Sequence, residues 1–184
     1  DYNKMATKRN TTKETKPDAT IVTDHRKKFI IGLLLLGLAL FLFISFISYC
    51  FTWQSDQGLN FNDPNLGVYN NGCKIGYWIA TWFVGRFFGL GALGIPLIIT
   101  IIGLQLLKYK SITFTKSILA IIFGSILLSV VSSYIFSFFD STKTWLGNGL
   151  GGIHGFYISQ WLINNLGAVG AAILLIIAIV TYTL

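Results

Sequence analysis

The 184-residue chain is 53% apolar and 11% charged, with a formal net charge of +7 and a mean hydropathy of +0.65. A soluble domain of this size would bury a core without four uninterrupted apolar blocks, and the placement of the positive charge argues against a general nucleic-acid-binding protein.

Residues 1–28 are expected to be a disordered, basic cytoplasmic tail, since 1–24 are polar and lack apolar periodicity. Four uncharged runs follow at 29–51, 90–107, 117–139 and 168–184, of 23, 18, 23 and 17 residues. As helices they measure roughly 26 to 35 Å against a hydrocarbon core of ~30 Å. Lipid leaves the backbone to satisfy its own hydrogen bonds, so the runs read as helices and 29–184 as an all-α, four-span membrane domain. The first run is too long for a cleaved signal peptide, and bulky Ser48-Tyr49-Cys50-Phe51 closes it. A start at Asp1 and an end inside an apolar helix at Leu184 suggest part of a longer polypeptide.

Eight of the fourteen Lys and Arg precede the first span and three (Lys108, Lys110, Lys116) lie between the second and third, leaving Lys74, Arg86 and Lys143 for the other connections. By the positive-inside rule both termini and 108–116 face the cytoplasm, while 52–89 and 140–167 lie outside. Arg26-Lys27-Lys28 stands where it can meet anionic headgroups. Cys50 and Cys73 fall on the outer, disulfide-permissive side, and the sequence allows either a bridge or two free thiols. Two cysteines and the well-separated His25 and His154 give no metal signature. The outer loop 52–74, with Asp63-Pro64-Asn65 as a turn signal, is expected to be irregular.

At an offset of 79 residues KIGYWIATWFVGRFFGLGALGIPLI aligns with IHGFYISQWLINNLGAVGAAILLII, matching Gly76 with Gly155, Trp82 with Trp161 and Gly91 with Gly170, while Gly72 falls on Gly151. Two spans per copy predict a parallel two-unit repeat. Within the copies, 75–88 and 153–165 set Ile75, Trp78, Trp82 and Ile153, Tyr157, Trp161 at helical spacing. Each is expected to be an amphipathic helix on the outer leaflet, leading to its span through a glycine-rich elbow. One long tilted helix over 75–107 is the alternative. Arg86 either snorkels to the interface or pairs with a partner protein or Asp140.

No Asp, Glu or Lys lies inside a span, which leaves no ordinary proton relay or ion site. Ser125, Ser129, Ser132 and Ser133 line one face of the third span, with Gly124 beside them, and Gly37, Ser45 and Ser48 do likewise on the first. With Gly89, Gly91, Gly167 and Gly170 they are expected to let helices approach closely. Pro96 is expected to kink the second span or cap its start. No phosphate-binding loop, zinc motif, nucleophile elbow or paired carboxylates occur, so the sequence predicts neither enzyme nor cofactor.

The basic tail, GRFFGLGALGIPLIITIIGLQLL, the short basic hairpin, and GGIHGFYISQWLINNLGAVGAAILLI with its Gly151, Gly152, Gly155, Leu166, Gly167 and Gly170 resemble the N-terminal four-span domain of FtsK/SpoIIIE-type bacterial DNA translocases. The resemblance covers 27–184. It implies a membrane domain that anchors an ATP-driven double-stranded DNA pump at the division septum, supports hexamer assembly and contacts other division proteins during chromosome partition. The ATP and DNA sites would belong to a motor absent from these residues. The competing readings are a small transporter or channel, and a membrane subunit of an envelope or secretion machine.

Overall fold

The computed structural model describes residues 19–58, 67–108, 114–139 and 145–184, with side chains from residue 25 onward. They form α1 (Ala19–Asp56), α2 (Cys73–Ala80), a π-helical stretch (Thr81–Phe88), a 3₁₀ stretch (Gly89–Leu93), α3 (Gly94–Leu106), α4 (Phe114–Phe136) and α5 (Gly152–Thr183), with no strand among the described residues. Four segments are long and apolar enough to cross a membrane: 25–56, 73–106, 114–136 and 152–183. The fold is all-α with four candidate spans.

α1 runs past both ends of the apolar run 29–51. Residues 19–28, assigned by sequence to the disordered tail, are helical, because extending a formed helix by one residue costs far less than nucleating one. Residues 52–56, assigned to an irregular loop, are its last turn. The Asp63-Pro64-Asn65 turn signal and residues 1–18 lie outside the described residues.

α1 and α3 pack antiparallel: Gly32 faces Gly103 near one end, while Leu40 and Phe43 share a groove with Pro96 and Leu97 further along. A Cβ on Gly32 would sit 3.0 Å from the Gly103 carbonyl oxygen, which marks this crossing as a backbone-to-backbone approach. The second part of α5 lies antiparallel to α4, with the Tyr134 hydroxyl donating to Ala168 O at 2.7 Å and that of Tyr182 to Ala120 O at 3.0 Å. His25 and Lys108 meet at 3.4 Å. The start of the α1 apolar run, the end of α3, the start of α4 and the end of α5 therefore share one end of the bundle, here the terminal end. The connections after α1 and α4 share the loop end.

Both connections return to the flank of a helix through turns of like geometry. The Cys73 N–H donates to Asn70 O at 2.8 Å and that of Gly152 to Gly149 O at 3.0 Å, and Cys73 (φ 54°) and Gly152 (φ 66°) both adopt left-handed backbone. Gly72 and Gly76 then lie on Ser45 of α1, as Gly151 and Gly155 lie on Ser129 and Ser133 of α4. These pairs are all 79 residues apart. The helix after each turn buries one face (Gly76 and Ala80; Gly155 and Ser159) and ends at a left-handed glycine, Gly89 (φ 58°) or Gly167 (φ 72°). From Cys73 to Gly89 the chain has one residue more than from Gly152 to Gly167. The wider π-helical turn at 81–88 absorbs the extra residue without moving the break.

Segment 73–106 is thus neither one straight helix nor a helix and span joined by loop: it passes from α through π and 3₁₀ to α. Pro96 is buried in the first turn of α3, where a missing N–H leaves no bond unmade. One core joins Leu42, Phe46 and Tyr49 of α1 to Tyr77, Val84 and Leu146, and a second joins Val130, Leu162, Ala171 and Leu175. Gly155→Ala is expected to lower stability by roughly 1–3 kcal/mol, because the methyl meets the Ser129 backbone. Gly37→Ala, with nothing within 4 Å, should leave stability unchanged or raise it by up to about 1 kcal/mol. Equilibrium unfolding of the detergent-solubilised chain checks both.

Candidate functional site

The loop end is held by polar groups that hydropathy does not flag. Asp56, at the C-terminus of α1, is 0% exposed, and Asn70 is 2% exposed. The Asp56 carboxylate accepts the N–H of Tyr69 at 2.8 Å through Oδ1 and that of Asn70 at 3.0 Å through Oδ2. An ionised carboxylate is an acceptor on both oxygens, so one side chain satisfies two successive amides as the chain turns back. Asn70 donates through Nδ2 to Ser45 O at 2.9 Å and accepts the Gly72 N–H through Oδ1 at 2.8 Å. Ser48 Oγ accepts the Asn71 N–H at 3.0 Å. All but the Asn70–Gly72 bond, which closes the turn, pin the returning chain to α1.

The second connection docks on the helical segments that flank the first. Tyr49 donates its hydroxyl to Leu146 O at 3.3 Å, Asn148 Nδ2 donates to Gly85 O at 3.0 Å, and the Leu90 N–H donates to Leu150 O at 2.8 Å. At Gly89 a Cβ would collide with the Leu150 carbonyl, and its φ of 58° also favours glycine. The Ser129 hydroxyl donates to Gly151 O at 2.7 Å, anchoring the same strap to α4.

The aromatic residues singled out by sequence face outward. Trp78, Trp82, Tyr157 and Trp161 are all exposed, Tyr157 to 68%, as are Ile75 and Ile153 on the same faces. Ring contacts run from Trp78 to Trp82 (6.3 Å), from Trp82 to Phe87 (5.9 Å), from Phe87 to Phe88 (6.4 Å), and across to His154 (5.4 Å). These ring contacts link the segment 73–88 to the start of α5 at His154. The Arg86 guanidinium lies over the Trp82 ring, 4.4 Å from its centroid, a cation–π arrangement in which the ring face attracts the charge. Asp140, the alternative partner for Arg86, is outside the described residues.

The small residues divide into those that touch another segment and those that do not. Gly91 and Gly94 lie against Ser125, and Ser129 takes up Gly151 and Gly155. Ser132 donates to its own helix at Leu128 O, 2.6 Å away. Gly167 is a correction: a Cβ there would meet nothing within 4 Å, and its left-handed backbone breaks α5 instead of admitting a neighbour. Gly170 meets only Leu166 of its own chain stretch, at 3.1 Å. Gly37, to which the sequence assigned a close approach, likewise packs on nothing, and Gly32 makes that approach instead. Cys50 and Cys73 are free thiols, with the Cys50 Sγ donating to Phe46 O at 3.3 Å. Among the described residues no three His, Cys, Asp or Glu side chains converge.

Sequence reasoning missed Asp56, Asn70, Tyr49 and the 145–151 strap. Signals were present in Ser45 and Ser48 on one face of the first span and in the alignment of Gly72 with Gly151, but neither indicates which acceptor the returning backbone meets.

These features define a polytopic α-helical membrane domain whose loops fold back onto its spans. Residues 24–184 match the family of the 4TM region of DNA translocase FtsK/SpoIIIE, and the chain belongs to that family. Comparison with curated proteins and with solved structures gives no match. As the 4TM region, the chain is a membrane-anchoring part of such a translocase, in contact with the lipid bilayer, and is not itself an enzyme.

Asp56→Ala is expected to orphan the buried Asn70 amide, at about 1–3 kcal/mol, and to free the Tyr69 amide, whose residue is exposed, at a smaller cost. Asp56→Asn, which keeps one acceptor oxygen, should fall between it and the parent. Amide hydrogen exchange at Tyr69 and Asn70 reads the loss directly, since both should exchange faster in the alanine variant.

Proposed function

We propose that this domain inserts in the bacterial inner membrane with both termini cytoplasmic, recruits its translocase to the division septum, and assembles with further copies of itself. The family assignment over 24–184 carries the reading. DNA and ATP are handled by a motor outside these residues, so the domain serves cell division and chromosome partition through position alone. Eleven of fourteen cations fall in the two segments assigned to the cytoplasm, and the terminal end gathers both of those segments, which supports the orientation by the positive-inside rule.

In this reading the two helix-turn units are a parallel duplication, and 73–88 and 152–166 lie on the outer leaflet with their aromatic faces toward headgroups and division proteins. The exposure of Trp78, Trp82, Tyr157 and Trp161, and the placement of Arg86 over Trp82, support it. A water-lined path finds little support: Ser129 and Ser132 direct their hydroxyls to backbone carbonyls.

In a background with Cys50 and Cys73 replaced by serine, Gln54→Cys should react with a membrane-impermeant maleimide in intact cells, and Gln105→Cys only after permeabilisation. The reverse pattern would overturn the orientation. A fluorescent fusion of the chain should concentrate at the division plane. Combined alanine replacement of Trp78, Trp82, Tyr157 and Trp161 should keep it in the membrane but spread the signal around the cell. An undiminished septal band in that variant removes the aromatic surface from recruitment.

A further inference from the structure

We propose that the terminal end of the bundle carries a composite site for the headgroup phosphate of an anionic phospholipid, formed by His25 and Arg26 of α1, Lys108 just past α3, and Lys116 in the first turn of α4. The proposal extends the orientation given above, but its chemistry does not depend on which leaflet is involved.

Three observations converge. The Lys108 Nζ lies 3.4 Å from His25 Nε2, which brings the start of the α1 apolar run and the end of α3 together, with the Gly32–Gly103 crossing holding the two helices close just above. Arg26, Lys108 and Lys116 are exposed. The only carboxylate among the described side chains is Asp56, at the opposite end; the Asp24 side chain falls outside them.

The second observation is the backbone of Lys108. Its φ of 60° is left-handed, at the position after a helix where glycine is favoured because it lacks a Cβ. A lysine is held there in a conformation that glycine would take with less strain. Such an outlier points to a requirement for the side chain, and this side chain reaches across to α1.

The third is depth. Phe29, Ile30 and Ile31, directly after the α1 cations, are exposed to 57%, 57% and 50%, so the charges stand at the border of the apolar belt. Cations spread over three helix ends around one rim match phosphates lying in a plane. A DNA duplex would present its phosphates along a rod and would have to lie flat on the membrane to reach all of them. Charge complementarity and depth together favour the lipid headgroup.

The test uses the full chain in phosphatidylcholine nanodiscs with and without phosphatidylglycerol, where both faces are accessible whatever the orientation in cells. Native mass spectrometry after release counts phosphatidylglycerol retained per chain. Lys108→Gly and Arg26→Gln should each reduce retention about fivefold, the effect of one surface cation, while Arg86→Gln at the other end should not. Lys108→Gly should also melt at a higher temperature than the parent in pure phosphatidylcholine, showing that it folds. Unchanged retention in Lys108→Gly and Arg26→Gln overturns the site, as does an equal fall in Arg86→Gln. Binding of a short DNA duplex that depends on Arg26 and Lys108, with no dependence of lipid retention on them, assigns the rim to nucleic acid and overturns it equally.

Discussion

The fold depends on close approaches between the returning chain and the spans, made where glycine removes the Cβ between them. A helix that ends near a membrane surface leaves amides unpaired, and a chain turning back onto the flank of a span has no lipid group to pair them with. At Gly72 and Gly76 the returning chain comes so close to Ser45 that any side chain would overlap it, and at Gly151 and Gly155 it does the same against Ser129. Between apolar helices in lipid there is no hydrophobic gain to draw them together, so contact distance and polar bonding must hold them. Here one set of glycines provides the distance and the serines and asparagines beside them provide the bonds.

The Asp56 lock follows from the same constraint. The first return starts from a helix that continues beyond the level at which its partner docks, so the chain must double back along its flank. A carboxylate at the last residue of α1 accepts the two amides of that descending stretch. Asn70 then ties the bottom of the descent to Ser45 O, with its second amide atom closing the turn onto Gly72. In the second return the roles shift: Ser129 itself donates to the turn at Gly151 O, and glycine replaces asparagine at position 149. Like geometry is reached with different side chains, which is why matching residue types alone conveys it weakly.

Much of the fold was legible because lipid makes hydropathy nearly sufficient: an uncharged run of 23 residues has few options other than a helix. Ile75, Trp78 and Trp82, set at helical spacing in the sequence, are all exposed. What could not be read was anything depending on where two distant segments touch. Asp56 looks like one more polar loop residue until Tyr69 and Asn70 are brought beside it. Glycine is so common in this chain (19 residues) that its role at any one position is invisible in one dimension. Gly32, Gly37 and Gly167 all sit in apolar helical sequence, yet one is a contact, one is idle and one is a break.

The distribution of polar groups also bears on what kind of membrane protein this geometry suits. A conduit needs hydroxyls or carbonyls left over for a passing solute, arranged along a path through the span. In this domain the buried hydroxyls of Ser45, Ser129 and Ser132 all donate to carbonyls of the protein. The cleft of about 580 Å³ between α4 and α5 is lined by Phe123, Leu127, Val130, Leu162 and Leu175, with Thr181 and Tyr182 at one end. A cavity of that lining, beside a kink at Gly167, offers an ion nothing to replace its water. Polar groups are instead concentrated where segments join, and Arg26, Lys108 and Lys116 at the terminal end of the bundle. That layout stabilises position and shape, which is what a membrane anchor requires of its residues and a transporter does not.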